Sequence, residues 1–363
     1  MEFGKFPASG FLSNLVETRR FSCDSFLKGR DTDRARLAET ARKSFGQEAR
    51  VLITSSPVHR LANSTSDIDL ICVAESDELG LAQAAQQMYD GTNHLESIGF
   101  LDEDLSEAFT ELAQWSRLSL GEGAERFLNS QSNATIRSKY LERIINGIDA
   151  ESGTSPYIEH LLHLSVVWAA VGVRRAVKLA TMSQMAVYAG WSRAAHALAV
   201  EALLQSMDAT LSAHGWVCSN SKWFLPRWRR ALAEFGVGAT SEEWPSWIDA
   251  SWDKVRAAEQ NGHLLAAIMS ELIENASSFF GVELFAQWTW QVDDNVVGVR
   301  EPGGLEGSIN TERKRAIDLA PPKLSKLDLS EVSSLVTDQA VRWLHLGRSG
   351  FASFRLVGSG EAQ

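Results

Sequence analysis

The sequence predicts an α+β protein: a small α/β unit near the N-terminus followed by a larger helical bundle. Three observations predict it. Short β-branched and apolar runs cluster in the first hundred residues, at "ARVLITSS", "SDIDLICVA" and "HLESIGFL". After Asp102 such runs nearly vanish, and apolar residues recur at i, i+3, i+4 spacing instead. From Val297 the composition turns rich in Gly, Pro and charge. The 363 residues suit two or three domains at ~100–200 residues each. The divisions fall at 1–30 (an N-terminal extension with little periodicity), 31–125, 126–296 and 297–363.

Taken in order, "DTDRARLAETARKSF" opens on capping acids and reads as a helix. "ARVLITSS" follows a charged turn and reads as a strand, "SDIDLICVA" as a second, and "HLESIGFL" as a third. "DELGLAQAAQQMYD" lies between the last two and is expected to be helical. The bundle is built from seven segments, beginning at "EDLSEAFTELAQWSRL", "NATIRSKYLERIINGI" and "YIEHLLHLSVVWAAVGVRRAVKLA". "MAVYAGWSRAAHALAVEALLQSMDATLSA", "KWFLPRWRRALAEF", "SEEWPSWIDASWDKVRAAEQ" and "HLLAAIMSELIENASSFFG" complete it. A linker, "REPGGLEGSINTERKRAIDLAPPKLSKLD", and a tail helix in "LSEVSSLVTDQAVRWLHLG" close the chain.

Net charge is −11 and the pI about 5.3, a field that repels polyanions and disfavours nucleic acid as a partner. Cys23, Cys72 and Cys218 lie far apart, which excludes a cysteine-cluster metal site and suits a reducing cytosol. The N-terminus lacks a signal-peptide pattern, and the most apolar stretch is interrupted by Arg174, Arg175 and Lys178, so a cytoplasmic protein without membrane association is expected. Glu159, His160 and His163 do not share one helix face and are not read as a metal site. "RWRR", Arg227 to Arg230, reads as a solvated helix face with one buried Trp228.

The chemistry concentrates in "SSPVHRLANSTSDIDL". Asp67 and Asp69 stand at i and i+2 of a strand, so both carboxylates face one way and Ile68 faces the core. Two neighbouring carboxylates repel unless a cation lies between them, and oxygen ligands suit Mg²⁺ or Mn²⁺. Glu96, on the strand that follows, offers a third acid. Ser55 and Ser56 end a strand and open a turn whose N–H and hydroxyl groups form an anion site, with His59 and Arg60 as further positive charge.

This pattern resembles the signature of the nucleotidyltransferase superfamily with the polymerase-β-like fold: Gly-Ser, about ten residues, then Asp-apolar-Asp, with a third acid on a later strand. "NSTSDIDLICV" is closest to the minimal and antibiotic-modifying (aminoglycoside or lincosamide) branches. The resemblance implies Asp67 and Asp69 as metal ligands, Ser56 as phosphate contact with Ser55 and Ser66 beside it, and Glu96 as a further ligand or the base activating the acceptor. Ser55 stands where the family has glycine. "SNSKW" resembles the Asn/Ser-Lys-Trp element of the helical domains of related enzymes, which implies Lys222 as a phosphate contact, with Ser221 adjacent. The implied activity is Mg²⁺- or Mn²⁺-dependent transfer of a nucleoside monophosphate, AMP from ATP, to a hydroxyl or phosphate of a small-molecule acceptor. Two alternatives stand beside it: a non-catalytic nucleotide-binding homologue, and a protein-AMPylating member of a toxin system.

Overall fold

The computed structural model describes residues 11–76, 80, 84–131, 134, 136–235, 246–258, 261–284, 288–292, 299–300, 306–307 and 352–356. Helices α1 (Phe11–Lys28) and α2 (Arg34–Phe45) come first. The Asp33 side chain caps α2 by accepting from the Arg36 N–H at 2.9 Å. Strands β1 (Arg50–Ile53), β2 (Ile68–Ala74), β3 (Ala85–Asp90), β4 (Asn93–Leu101) and the two-residue β5 (Ile148–Asp149) form a sheet in the order β3-β4-β2-β1-β5. Only β2 and β4 pair in parallel; the other neighbours are antiparallel.

Two of the expected elements in the first hundred residues differ. The segment assigned to an N-terminal extension contains α1, whose Cys23 and Leu27 are buried with α2 against the sheet. Its apolar positions are sparse because α1 buries one narrow stripe. The part of "DELGLAQAAQQMYD" that is described is strand β3, not helix. Asp90 pairs with Asn93 around Gly91 and Thr92, and Gly91 has φ +60°, which fits a two-residue hairpin with glycine at the first central position. The Asp-Gly step outweighs the helical preference of the alanines and glutamines.

The helices that follow are α3 (Asp102–Trp115), α4 (Leu120–Ser130), α5 (Ser138–Asn146), α6 (Leu161–Tyr188), α7 (Ser192–Ala213), α8 (Phe224–Phe235), α9 (Trp247–Ala257) and α10 (Gly262–Phe280). Helix α4 has no counterpart in the sequence reading, although Ser119 and Glu122 form a reciprocal capping box at its start. The long segment from Met185 is divided between α6 and α7. Gly190, at φ +73°, ends α6 with the bonds of a Schellman motif, Trp191 N–H to Ala186 O at 2.8 Å and Gly190 N–H to Val187 O at 3.0 Å. Arg227 departs from the solvated face expected for "RWRR": it is fully buried against Asp208, its Nη1 2.6 Å from Oδ1, while Trp228 is buried as expected.

The sheet is covered on both faces. Val51, Ile53, Ile68, Leu70, Cys72 and Leu95 pack on α1 and α2. Leu52, Ile71, Val73 and Phe100 belong to the larger core that runs through α3 to α7 and α10. Helices α6 and α7 touch at Gly172, where an added Cβ would lie 2.9 Å from the Ala209 Cβ and 3.1 Å from its Cα. Because the obstruction is partly backbone, Gly172→Val is expected to lower stability by about 1–3 kcal/mol through overpacking. Urea denaturation measures it, and an unchanged midpoint would refute this account of the contact.

Strand β6 (Trp288–Val292) pairs antiparallel with β9 (Ala352–Leu356), and β7 (Val299–Arg300) with β8 (Glu306–Gly307). Trp288 is fully buried in the large core. The tail helix expected in 329–347 lies outside the described residues. No described helix is long and apolar enough to cross a membrane.

Candidate functional site

The alternation of β2 and β4 explains where the site forms. In β2 and the residue before it, Asp67, Asp69, Ile71 and Val73 share one face; in β4, His94, Glu96, Ile98 and Phe100 do. The strands are parallel with Asp69 beside Glu96 and Ile71 beside Ile98. Both rows therefore change from polar to apolar at the same step. The apolar halves meet the helical core, and Asp67, Asp69 and Glu96 of the polar halves line a cleft beyond it.

That cleft has a volume of about 480 Å³. Ser55, Ser56, Ser66, Asp67, Asp69, Glu96 and Lys222 all line it, although they come from both halves of the sequence. Arg60 does not line it: it is exposed, with φ +58°. His59 is not a phosphate contact either, because it is buried and its Nε2 lies 3.1 Å from Glu142 Oε1.

The Ser turn is held from several sides. The Thr54 N–H and Oγ1–H both donate to the Asp69 carbonyl, at 3.0 and 3.2 Å, which closes β1 onto β2 just before the turn. The Ser56 carbonyl accepts from the N–H groups of Leu61 (2.9 Å) and Ala62 (3.1 Å). The Ser22 hydroxyl of α1 donates to Pro57 O at 2.6 Å. Ser55 itself adopts φ +64°, the left-handed region that favours glycine, and its Oγ is buried without a partner among the described residues. A left-handed serine costs roughly 1–2 kcal/mol, against the ~0.5–1 kcal/mol of extra chain entropy that glycine loses. Ser55→Gly is thus expected to hold or raise stability, by up to about 1 kcal/mol. A fall in melting temperature in this variant would show that the hydroxyl, not the backbone, sets the preference.

The loop before β2 is equally ordered. Asn63 Oδ1 accepts from the Thr65 N–H at 2.9 Å, and Ser66 Oγ accepts from the Asn63 N–H at 3.0 Å. Arg30 Nη2 donates to the carbonyls of Ser64 and Ser66 at 2.8 and 2.6 Å. Ser66 thus serves to shape the loop that presents Asp67.

The two aspartates have different partners. Asp67 Oδ1 lies 3.0 Å from His94 Nδ1, and one ligand atom from each of Asp67, His94 and Glu96 lies within 4.8 Å of the others. Asp69 instead accepts from Arg143 Nη1 of α5 at 3.1 Å. Sequence reasoning missed both His94 and Arg143. The signal for His94 was its place two residues before Glu96, on the same strand face; Arg143 had no local signal.

Deep in the lining of the cleft, Glu142 of α5 is 2% exposed and holds four donors. They are His59 Nε2, Asn146 Nδ2 at 2.8 Å, and the Ser219 N–H and Oγ–H at 3.1 and 2.8 Å. Burial alone would push its carboxyl up, but the bonds from His59, Ser219 and Asn146 hold it down at about 2. Burial lowers the pKa of His59, so the neutral ring donates its Nε2–H to an ionised Glu142. Arg19 of α1 is also buried, its charge beside Glu142, and burial lowers its pKa to about 10. One carboxylate thereby ties α1, the Ser turn and α5 to the segment carrying Ser219.

That segment forms the opposite wall. Asn220 Oδ1 caps the short turn at Ser221–Trp223 by accepting from the Lys222 N–H at 3.2 Å. Lys222 is exposed, and its Nζ lies 5.0 Å from the centre of the Trp223 ring. Trp223 and Asn220 line the cleft; neither was anticipated as a site residue.

Residues 12–299 match the sequence model of DUF6001, described as a family of unknown function. No curated protein matches the chain.

Proposed function

We propose that this chain, which belongs to the DUF6001 family, is a metal-dependent nucleotidyltransferase of polymerase-β-like fold that transfers AMP from ATP to a small-molecule acceptor. One observation carries the reading. The Ser turn, the Asp pair, the acid on the next strand and the lysine of the helical half, all named by a sequence resemblance, line a single cleft.

Asp67 and Glu96, with His94 beside them, are donors that fit a divalent cation, and Asp69 joins them once it parts from Arg143. A bound Mg²⁺ or Mn²⁺ supplies charge neutralisation of the triphosphate and eases deprotonation of the acceptor. The protein's own groups do the positioning. The turn at Ser55 and Ser56 faces the terminal phosphates, and Lys222 reaches them from the opposite wall as a point charge. Arg143 moves from Asp69 to the phosphates as they arrive. The acceptor hydroxyl forms a bond to the α-phosphorus, the bond to the pyrophosphate oxygen breaks, and the acceptor's proton passes to Glu96. The cleft is walled by Trp223 and Asn220, an aromatic face and an amide suited to a nucleobase or a flat acceptor ring.

Incubation with labelled ATP, GTP, CTP and UTP, a divalent cation and an acceptor panel tests the reading. Pyrophosphate release with ATP is the expected result, and no release with any nucleotide and acceptor sinks it. The Arg143–Asp69 contact and the serine at position 55 favour a second reading, a nucleotide-binding homologue that does not turn over. Thermal stabilisation by ATP and metal without release selects that alternative.

A further inference from the structure

Asp67, His94 and Glu96 share more than a strand face. Their ligand atoms converge within 4.8 Å, and His94 Nδ1 and Asp67 Oδ1 are 3.0 Å apart. Two donors bound at ~2.0–2.2 Å to one ion, at right angles, stand about 3 Å from each other. Asp69 is absent from this set, and its Oδ1 accepts from Arg143 at 3.1 Å. The backbone fixes the arrangement: β2 and β4 pair in parallel, Ile68 beside Leu95 and Asp69 beside Glu96, so His94 falls beside Asp67. The exposed Tyr89 ring of β3 lies tilted against the imidazole at 5.3 Å between centroids.

We infer that Asp67, His94 and Glu96 form a metal site in the nucleotide-free chain, that Asp69 is not part of it, and that the imidazole selects a first-row transition ion over Mg²⁺. Mg²⁺ takes oxygen ligands in a strict octahedron and keeps its waters, whereas an imidazole with two carboxylates suits Mn²⁺, Fe²⁺, Co²⁺ or Zn²⁺. The inference shares Asp67 and Glu96 with the proposed transfer site but needs no transfer chemistry.

Mn²⁺ is the probe. Its binding to the nucleotide-free full chain is followed by paramagnetic resonance and calorimetry, with Mg²⁺ as competitor. The wild type is expected to bind one Mn²⁺ with at least about tenfold preference over Mg²⁺. His94→Ala, on a half-exposed strand position, is expected to lose at least about tenfold in Mn²⁺ affinity and most of that preference. Asp69→Asn is expected to keep the binding, since its carboxylate is engaged elsewhere. Mn²⁺ binding that survives His94→Ala, that disappears in Asp69→Asn, or that Mg²⁺ matches, overturns the inference, as does the absence of binding. Mn²⁺ binding without pyrophosphate release leaves this site standing and removes the transferase reading.

Discussion

Asp67→Asn is expected to abolish pyrophosphate release, with a loss of about a thousandfold or more in kcat. Metal-assisted charge stabilisation is worth several kcal/mol, and each ~1.4 kcal/mol is tenfold in rate. In the proposed site Asp67 is exposed, stands at the end of the polar row, and has His94 as its side-chain partner. Asp69→Asn should be similarly inactive, but with a second signature. Removing that carboxylate's charge frees Arg143, so phosphate-dependent stabilisation by ATP alone should persist or rise. Rates and ATP-dependent melting shifts, measured side by side, separate the two variants. Wild-type rates in either one would sink the assignment of the Asp pair.

Glu142→Ala carries the largest expected stability cost, roughly 3–5 kcal/mol, because it leaves buried charge and donors uncompensated. Arg19 is buried with its charge beside this carboxylate, and Ser219, Asn146 and His59 all donate to it. Glu142→Gln keeps the shape but not the charge and should cost less. The pH dependence distinguishes charge from shape. The folded-state pKa, about 2, lies below the ordinary 4.5. The carboxylate's stabilisation is therefore complete above about pH 4.5 and is lost as pH falls toward 2. Urea midpoints measured across that window should fall in the wild type and flatten in Glu142→Gln. Identical acid slopes in the two proteins would refute the role given to this charge.

Much of the site's floor was legible because it is local. The Ser pair, the aspartates at i and i+2, and Glu96 at an apolar strand position each carry their pattern within a few residues. The parallel register that places Glu96 beside Asp69 is a tertiary fact, as is the contact of Asp69 with Arg143. Strand β3 was misread because its apolar alternation is faint; it lies at the sheet edge, with Gln87 and Tyr89 exposed. Helix α1 was missed because its buried residues are few, and α4 because its capping box sits amid small and polar residues. Arg227 shows the limit of composition. A basic run in an acidic chain reads as solvent-facing until Asp208, on another helix, is placed against it.

The shared row of β2 and β4 has a consequence for how the cleft moves. The carboxylates sit on the same strands, one step along, as Ile71, Val73 and Phe100, which anchor the central core. The amides of Asp69 and Glu96 lie within paired strands and are expected to exchange slowly with solvent, so the floor behaves as a fixed anvil. The wall at Ser219 to Trp223 is a short, half-exposed turn, held to the rest through Glu142. Exchange should be orders of magnitude faster there. Closing on a substrate is then the work of that turn and of the Arg143 side chain, while the backbone of the floor keeps its spacing whether the cleft is empty or full.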